Sequence, residues 1–391
     1  MDWIVAPGGG KTSGGRSSGE DRALADVLPS LLGAMAVPGF DDALELPPCR
    51  SAAALLVDGL GWSLLREHAE DAPLLAELAT REPITVGFPT TTATSITSLG
   101  TGRPAGEHGI VGYTFAEPTG GLLHPLGWMR HGGGRRSLLA DWPPEEVQPE
   151  PTVPQRAAEA GVPVSTVLPA EFDGTGLTRA GLRGGRFRGV RALGDLASEM
   201  LAALREPAPA LCYGYHGQLD MLGHLYGPGS QPWRMQLAQV DRLVRTLVDG
   251  LPGSALLAVV ADHGMVRVDP GDALDFDRDP ELRDGVRLLG GDVRARHVYA
   301  EPGAEADVRA AWQEKLGSRG VVVPGAQAIE DGWFGPVVRD PVRRRIGDLL
   351  AVSRDSGVLR SEVEPGESSL LGHHGSLTAA EQYVPLLLAT G

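Results

Sequence analysis

Seven side chains, spread over most of the chain, have the chemistry to bind two metal ions at one site. They are carboxylates, imidazoles and a hydroxyl, which are hard or borderline ligands for metal ions. Several of them follow a run of apolar residues, and an α/β sheet presents its functional loops where such strands end. The seven residues are Asp58, Thr92, Asp220, His224, Asp262, His263 and His374.

Three of these residues stand directly behind predicted strands. Asp58 follows the apolar run Ala52–Val57, and Asp262 and His263 follow the run Ala255–Val260. A carboxylate buried at a strand end needs a cation or hydrogen-bond donors to offset its lost hydration. The pattern therefore favours metal ligands, while a buried Asp–His hydrogen-bonded pair is the alternative for Asp262 and His263.

Further imidazole ligands are predicted from spacing. Asp220 and His224 are four residues apart, so on a helix they lie on one side, within reach of one ion. The same spacing occurs on solvated helices, but here it follows a predicted strand, Ala210–Tyr215. Near the end of the chain His373 and His374 are adjacent, and one of them would bind metal while the other supports the site.

A run of threonines supplies the candidate nucleophile. At the start of a helix, the Thr92 hydroxyl would feel the positive end of the helix dipole, and coordination to a divalent ion would deprotonate it near neutral pH. Helix capping is the alternative role. The residues alone do not distinguish Thr92 from Thr90, Thr91 or Thr94. Main-chain N–H groups around Thr92 and Ala93 would add donors for a phosphate group.

The charge of such a site suits phosphate chemistry. Two divalent ions would balance three aspartates and one threonine alkoxide, and would leave two concentrated cationic centres. Such centres hold phosphate oxygens and stabilise the attacking and leaving oxygens of an in-line displacement.

The order of the predicted elements favours a large α/β core. Apolar strands alternate with helices such as Leu193–Leu204 and Trp233–Val248, which predicts a mainly parallel sheet with helices on both faces. A helix is also predicted over Trp62–Thr80, a strand over Val111–Phe115 and a long loop over Glu117–Pro154. We expect a flexible leader over residues 1–22, a core over 23–265 and 357–391, and a small inserted α+β cap over 266–356.

Composition excludes several classes of partner and site. The formal charge of -15 argues against a nucleic-acid polymer, whose phosphates are met by clustered Lys and Arg. Cys49 and Cys212 form no pattern typical of disulfides or of a thiolate zinc site. The N-terminus lacks a secretory signal and no apolar stretch is long enough for a membrane span, so we expect a soluble, cytoplasmic protein without a membrane partner. The sequence does not predict an oligomeric state.

Five sequence blocks follow one another in a specific order. They are VDGLG, FPTTTATSITSLGTG followed by HGIVG, DMLGHLYGP, VVADHGM and HHG. In this order, from about Ala52 to Gly375, they resemble the alkaline phosphatase superfamily, and most closely its type I phosphodiesterase/nucleotide pyrophosphatase family. The resemblance implies an alkaline-phosphatase-like three-layer α/β/α sandwich. It also implies a two-zinc hydrolase of small phosphorylated substrates such as nucleotides.

The resemblance also implies a division of roles. In this family the nucleophile lies nine residues before the Thr of a Thr-Gly pair, which here is Thr101-Gly102 and selects Thr92. The implied reaction forms a phospho-threonine intermediate, which water activated by zinc then hydrolyses. His374 is preferred over His373 because the family ligand directly precedes Gly. One zinc would be held by Asp220, His224 and His374, and the other by Asp58, Asp262, His263 and the Thr92 oxygen.

At two positions expected to face the substrate the chain departs from the family pattern. Relatives often carry Asn after HGIVG and another Asn three residues beyond the nucleophile, where this chain has Tyr113 and Ser95. We expect Ala93, Ser95 and Tyr113 to bind substrate, with the preference for diesters left open. A phosphomonoesterase or phosphonate hydrolase on the same core is the alternative. A metal-stabilised binding protein without turnover is an alternative of another class.

Overall fold

A six-stranded sheet forms the centre of the protein in the computed structural model, which describes residues 2–7, 22–132, 136–206 and 209–391. Five neighbouring strands are parallel, and the last strand of the chain pairs antiparallel at one edge. The predicted, mainly parallel sheet is thus confirmed. In spatial order the strands are Leu386–Thr390, Ala255–Val260, Ser51–Val57, Leu211–His216, Val164–Pro169 and Arg186–Val190.

Helices cover this sheet in two groups, which gives the expected three layers. The helices within each group contact one another. The first group contains Val27–Ala34, Thr92–Thr101 and Val153–Glu159, and the second contains Pro73–Leu78, Leu193–Leu204 and Gln231–Gly250. The strand Ser51–Val57 is buried at every residue. Its continuous apolar sequence is typical of a parallel strand covered on both faces.

The predicted helix Trp62–Thr80 is wrong as a single element. The chain forms Trp62–Glu67, a 3-10 turn at Ala69–Asp71 and a second helix, Pro73–Leu78. Proline lacks the N–H that a continuing helix requires and its ring clashes with the preceding turn, so Pro73 begins a new helix instead.

The region after the threonine helix also differs from the prediction. Of the predicted strand Val111–Phe115, only Phe115 lies in a strand, Phe115–Ala116, because the Val111 carbonyl accepts from the His297 ring instead of from a strand. The predicted loop beyond it contains a small antiparallel sheet and the helix Pro144–Val147. Its other strands, Leu122–His124 and Met129–Arg130, are too short for a sequence period to reveal.

A second, four-stranded antiparallel sheet lies within the predicted cap, and we call it the cap sheet. The helix Glu305–Leu316, predicted with these bounds, contacts the cap sheet and buries Trp312. An apolar cluster of its own stabilises this unit, whereas the proposed domain boundaries stay a prediction. In spatial order the cap strands are Val286–Asp292, Ala295–Ala300, Leu349–Ser353 and Gly320–Pro324.

The remaining elements are short. The further helices are Ala105–His108, Gly176–Leu182, Gln218–Tyr226, Pro280–Arg283, Gly325–Glu330, Asp340–Arg343 and Ala379–Gln382, and 3-10 turns lie at Leu24–Asp26, Ala170–Phe172, Pro270–Asp272, Gly317–Arg319 and Pro365–Ser369. Two-residue strands pair Val266–Arg267 with Gly372–His373, Leu274–Asp275 with Val358–Leu359, and Ile84–Thr85 with Tyr383–Val384.

Residues 3–5 of the predicted leader pack against the rest of the protein. The Val5 N–H donates to the Leu377 carbonyl, and Trp3 and Ile4 pack against a buried apolar cluster. Residues 1 and 8–21 lie outside the described residues, so a flexible leader there stays a prediction. Within the described ranges, none of the helices has the length and apolar character needed to cross a bilayer.

The central strand should contribute more to stability than the edge strand. Leu55 is fully buried in the middle of the sheet, so Leu55→Ala should lower the free energy of unfolding by about 2–5 kcal/mol. Leu388, half-buried on the edge strand, is the matched control, and Leu388→Ala should cost about 1 kcal/mol. Urea denaturation measures both values, and equal losses would contradict this account of the core.

Candidate metal centre and nucleophile

Adjacent parallel strands bring the acidic residues to one edge of the central sheet. Asp58 directly follows Ser51–Val57, and Asp262 follows the neighbouring strand Ala255–Val260. Asp220 lies in the first turn of the helix after the strand on the other side. The carboxyl ends of parallel neighbours meet at the same edge, where α/β proteins build their sites.

Asp58, Asp262 and His263 form the first group of candidate ligands. Their ligand atoms all lie within 4.8 Å of one another. His263 Nε2 is 3.4 Å from Asp58 Oδ1 and 3.5 Å from Asp262 Oδ2. Atoms bound about 2 Å from a tetrahedral ion lie roughly 3.3 Å apart, so these spacings fit one shared cation.

Asp220, His263 and His374 form a second group within the same limit. The His374 Nε2 atom is 4.0 Å from Asp220 Oδ1. His224, one turn after Asp220 on the helix Gln218–Tyr226, brings its Nε2 atom to 3.4 Å from Asp220 Oδ2. His263 belongs to both groups, and its ring stacks on that of His374 with centroids 3.6 Å apart.

Main-chain carbonyls orient the three imidazoles. A carbonyl can only accept, so each bonded Nδ1 carries the proton and each Nε2 keeps a lone pair for a cation. Such hydrogen bonds typically hold metal-binding histidines in place. The pairs are His224 with Gly372 at 2.7 Å, His263 with Gly264 at 3.1 Å and His374 with Thr90 at 2.7 Å.

His373 lies on the other side of its strand. It pairs antiparallel with Val266, and successive residues of an extended chain point to opposite sides. Its Nε2 atom lies 3.3 Å from the Leu370 carbonyl oxygen. Of the two adjacent histidines, the structure therefore brings His374 to the acidic groups.

The three aspartates are strongly destabilised as anions in the absence of a cation. Burial, followed by the charge of Asp58, raises the pKa of Asp220 to about 8. Burial, followed by the charge of Asp220, raises the pKa of Asp262 to about 7. Burial and the charge of Asp262 raise the pKa of Asp58 well above its usual range. A bound divalent ion reverses this effect by supplying the missing positive charge.

Each aspartate also keeps a buried oxygen without a hydrogen-bond partner among the described residues. These atoms are Asp58 Oδ1, Asp220 Oδ1 and Asp262 Oδ2. An unpartnered buried oxygen is costly, and cation binding would satisfy it. The donor set, of carboxylates and neutral imidazoles, therefore fits divalent ions such as zinc.

The histidines have the protonation state that metal binding needs. Burial lowers the pKa of His263 to about 3. Burial, with repulsion from His263 next in size, lowers the pKa of His374 well below its usual range. Both rings are therefore neutral at physiological pH, as ligands must be.

The Thr92 hydroxyl lies beside the shared histidine. Its Oγ1 atom is 3.2 Å from His263 Nε2, and the residue is the first of the helix Thr92–Thr101. The Thr90 hydroxyl instead donates to the Ser376 carbonyl, and the Thr94 side chain is fully buried. Geometry thus separates threonines that the sequence left equivalent.

The three predicted substrate-binding residues have different surroundings. Ala93 is buried in the first turn of the helix, where main-chain N–H groups lack intrahelical acceptors. Ser95 is also fully buried, and its Oγ atom has no hydrogen-bond partner in the described part of the chain. The Tyr113 hydroxyl donates to Glu364 at 3.4 Å, and its ring packs edge-on against His124.

Several residues around the centre carry no local sequence signal. The Tyr215 hydroxyl donates to Asp58 Oδ2 at 2.5 Å, because parallel pairing sets Tyr215 opposite Leu56. Asp292, at the end of a cap strand, brings Oδ2 to 4.0 Å from His374 Nδ1. Such contacts depend on the pairing of distant segments.

Close main-chain approaches explain two glycines of the motifs. Gly59 adopts a φ of +74°, and its N–H donates to Asp262 Oδ1 at 3.1 Å. A Cβ atom on Gly264 would lie 1.9 Å from the Ala380 carbonyl oxygen. Only glycine permits both features, so the residues following Asp58 and His263 are part of the site's construction.

A profile of the type I phosphodiesterase/nucleotide pyrophosphatase family matches residues 52–377. The chain belongs to this family. The match covers the parallel strands of the central sheet from Ala52 onward, the threonine helix, the cap and both candidate ligand groups. The predicted family resemblance is thus confirmed.

Solved structures of similar proteins share the fold. Murine ectonucleotide pyrophosphatase/phosphodiesterase 5, an inactive threonine-to-alanine variant in complex with AMP, superposes with a TM-score of 0.66 at 18% identity, covering 87% of each chain. The human protein superposes with a TM-score of 0.63 at 19% identity, covering 87% of each chain. The alkaline-phosphatase-like architecture is confirmed.

Curated relatives match over shorter segments. A phosphopentomutase of Anaeromyxobacter dehalogenans is 31% identical over 159 residues, which are 40% of this chain and 38% of the relative. Human ectonucleotide pyrophosphatase/phosphodiesterase family member 7 is 37% identical over 75 residues, 17% of this chain and 16% of the relative. The matches thus span less than half the length of these relatives.

The metal-free protein should lose stability as pH rises from about 7 to 8. The folded protein keeps a proton on Asp220 up to a pKa of about 8, whereas the unfolded chain releases it near pH 4. Stability therefore falls as pH rises through this range. The melting temperature of chelator-treated protein should drop between about pH 7 and pH 8, above the range in which the lowered pKa values of His263 and His374 oppose this trend. It should recover when zinc is added.

Asp220→Asn should reduce this pH dependence, since an amide does not titrate, while Asp58 and Asp262 keep their raised pKa values. Asp195→Asn is the control, because hydrogen bonds from main-chain N–H groups lower the pKa of this half-buried carboxylate, which is then ionised throughout the range. It should leave the slope unchanged. A melting temperature of the metal-free wild type that does not change between about pH 7 and pH 8 would show that burial does not raise the pKa values of the aspartates.

Proposed function

We propose that the protein is a two-zinc phosphodiesterase or nucleotide pyrophosphatase that works through a phospho-threonine intermediate on Thr92. One observation carries the proposal. The Thr92 hydroxyl lies 3.2 Å from His263 Nε2, and His263 belongs to both candidate ligand groups. A nucleophile beside the point where two ligand groups meet is the arrangement that two-metal displacement requires.

The proposed ligand sets follow the family pattern and the geometry. Asp58, Asp262 and His263 would hold one ion together with the Thr92 oxygen. Asp220, His224 and His374 would hold the other. The bound ions would lower the pKa of the attacking hydroxyl and stabilise the attacking and leaving oxygens.

In the first proposed step Thr92 Oγ1 attacks phosphorus and displaces the alcohol or phosphate leaving group in line. The hydroxyl stands at the N-terminus of a ten-residue helix, whose positive end favours the developing negative charge. The main-chain N–H groups of Ala93 and Thr94 face the same end and would donate to the non-bridging phosphate oxygens. Water then cleaves the phospho-threonine ester and restores the Thr92 hydroxyl.

Comparisons support a nucleotide-like substrate. The family name covers phosphodiesterases and nucleotide pyrophosphatases, and a murine relative of the same fold is an inactive threonine-to-alanine variant in complex with AMP. Tyr113, whose hydroxyl donates to Glu364, replaces the asparagine of many relatives, so a phosphomonoesterase or phosphonate hydrolase is the second candidate.

Removing the nucleophile should abolish turnover without emptying the metal sites. Thr92→Ala should lower kcat by at least about 1000-fold, since it removes the oxygen that would form the covalent intermediate. Thr97→Val is the matched control, because the Thr97 hydroxyl bonds within the same helix; it should leave kcat within about threefold of the wild type. Steady-state kinetics and elemental analysis measure both effects, and an active Thr92→Ala enzyme would remove Thr92 from its role.

Substrate class should be decided by a comparison of specificity constants. We expect kcat/KM for a nitrophenyl diester and for a dinucleotide pyrophosphate to exceed that for a nitrophenyl monoester, a phosphonate or a pentose phosphate by about 100-fold or more. Every assay is repeated with Thr92→Ala to exclude contaminating hydrolases. A preference for the monoester or phosphonate would establish the second candidate function.

A further inference from the structure

A buried ion pair joins the cap to the segment that carries His374. Arg294 lies in the turn between the cap strands Val286–Asp292 and Ala295–Ala300, and its side chain is completely buried, as is that of Glu381. The two groups form parallel hydrogen bonds of 2.8 and 2.9 Å. Such a two-pronged pair fixes orientation as well as distance.

Arg294 also forms hydrogen bonds to other parts of the cap. Its remaining N–H groups donate to the carbonyl oxygens of Ser353, Arg354 and Ser356. The pair therefore connects the end of a cap strand and the cap turn to Glu381, and each guanidinium nitrogen has a hydrogen-bond partner. A fully hydrogen-bonded buried pair holds its neighbours in one arrangement.

Glu381 is hydrogen-bonded to the chain segments that carry His263 and His374. Its Oε1 atom accepts from the Ser376 N–H at 3.0 Å, two residues after His374. Its main-chain carbonyl accepts from the Gly264 N–H at 2.9 Å, and the Gly264 carbonyl in turn accepts from His263 Nδ1. One residue thus contacts the segments of both stacked imidazoles.

Thr90 closes the network from the side of the nucleophile. Its hydroxyl accepts from the Gly375 N–H and donates to the Ser376 carbonyl, and its own carbonyl accepts from His374 Nδ1. The segment that Glu381 holds is therefore also bonded to the chain two residues before Thr92.

A second buried pair in the same turn region lacks these connections. Arg296 donates to both carboxylate oxygens of Glu367 at 2.8 Å. Its other N–H groups donate to Val358 and Gly291, and Glu367 accepts from the Arg360 N–H. These partners belong to the cap and its return segment, and none of them is a candidate ligand.

We propose that Arg294 and Glu381 are positioning residues that hold His263 and His374 at metal-binding distance, so that the cap sets the geometry of the metal centre. The inference rests on the proposed two-metal function. It does not depend on the substrate, because the pair acts through the main chain of the ligand segments.

The test is zinc binding to the metal-free protein, measured by competition with a chromophoric chelator. Apolar residues often replace a buried ion pair without loss of the fold, so Arg294→Met is combined with Glu381→Leu. This double variant should bind the more weakly held zinc about 10- to 100-fold less tightly than the wild type. The matched control combines Arg296→Met with Glu367→Leu and should bind zinc like the wild type.

Melting temperatures of the metal-free proteins show whether both double variants are folded. If the Arg294→Met, Glu381→Leu protein does not fold, the single variant Arg294→Lys is tested in its place. It keeps the charge but loses the two-pronged contact, so it too should bind the more weakly held zinc about 10- to 100-fold less tightly than the wild type. Unchanged zinc affinity in the variant of the Arg294 pair would overturn the inference, as would an equal loss in both pairs. A wild-type protein that binds no zinc would instead refute the proposed function itself.

Discussion

The cost of burying three carboxylates together is the constraint on which the rest of the structure depends. Asp58, Asp220 and Asp262 stand at neighbouring strand ends with unpartnered oxygens, and their pKa values are raised. No hydrophobic contact compensates such a cluster. The chain keeps it because the surrounding groups are arranged to receive positive charge.

The fold supplies this arrangement from two directions. Parallel strand pairing brings the aspartates to one edge of the sheet from segments that are far apart in sequence. The helix after the strand Leu211–His216 places Asp220 and His224 on one face. The cap and the C-terminal segment bring His374 from the other side. Rigid elements carry the ligands, while main-chain hydrogen bonds orient them, which is the division that precise sites require.

Local chemistry made part of the site predictable from sequence. Asp58 and Asp262 stand behind apolar runs that only buried strands explain, and Asp220 and His224 have the spacing of one helical face. The choice among the threonines is not local, because it depends on the 3.2 Å approach of His263. The choice of His374 over His373 depends on pairing with Val266, although the family pattern anticipated it.

Other features were beyond sequence reasoning for similar reasons. Strands of two or three residues show no period, so the small sheet after Phe115 was predicted as a loop. Pro73, which begins a new helix inside the predicted helix Trp62–Thr80, is by contrast a signal that the sequence does contain. Tyr215, Asp292 and the pair of Arg294 with Glu381 act through contacts between distant segments, which a single sequence does not reveal.

His263 belongs to both ligand groups and stacks on His374. The Nδ1 atom of His263 donates to the Gly264 carbonyl, so only the Nε2 lone pair is free, and an ion held by one group would take it from the other. The two sites would then fill one after the other with unequal affinities, and the second ion would depend on Asp220, His224 and His374.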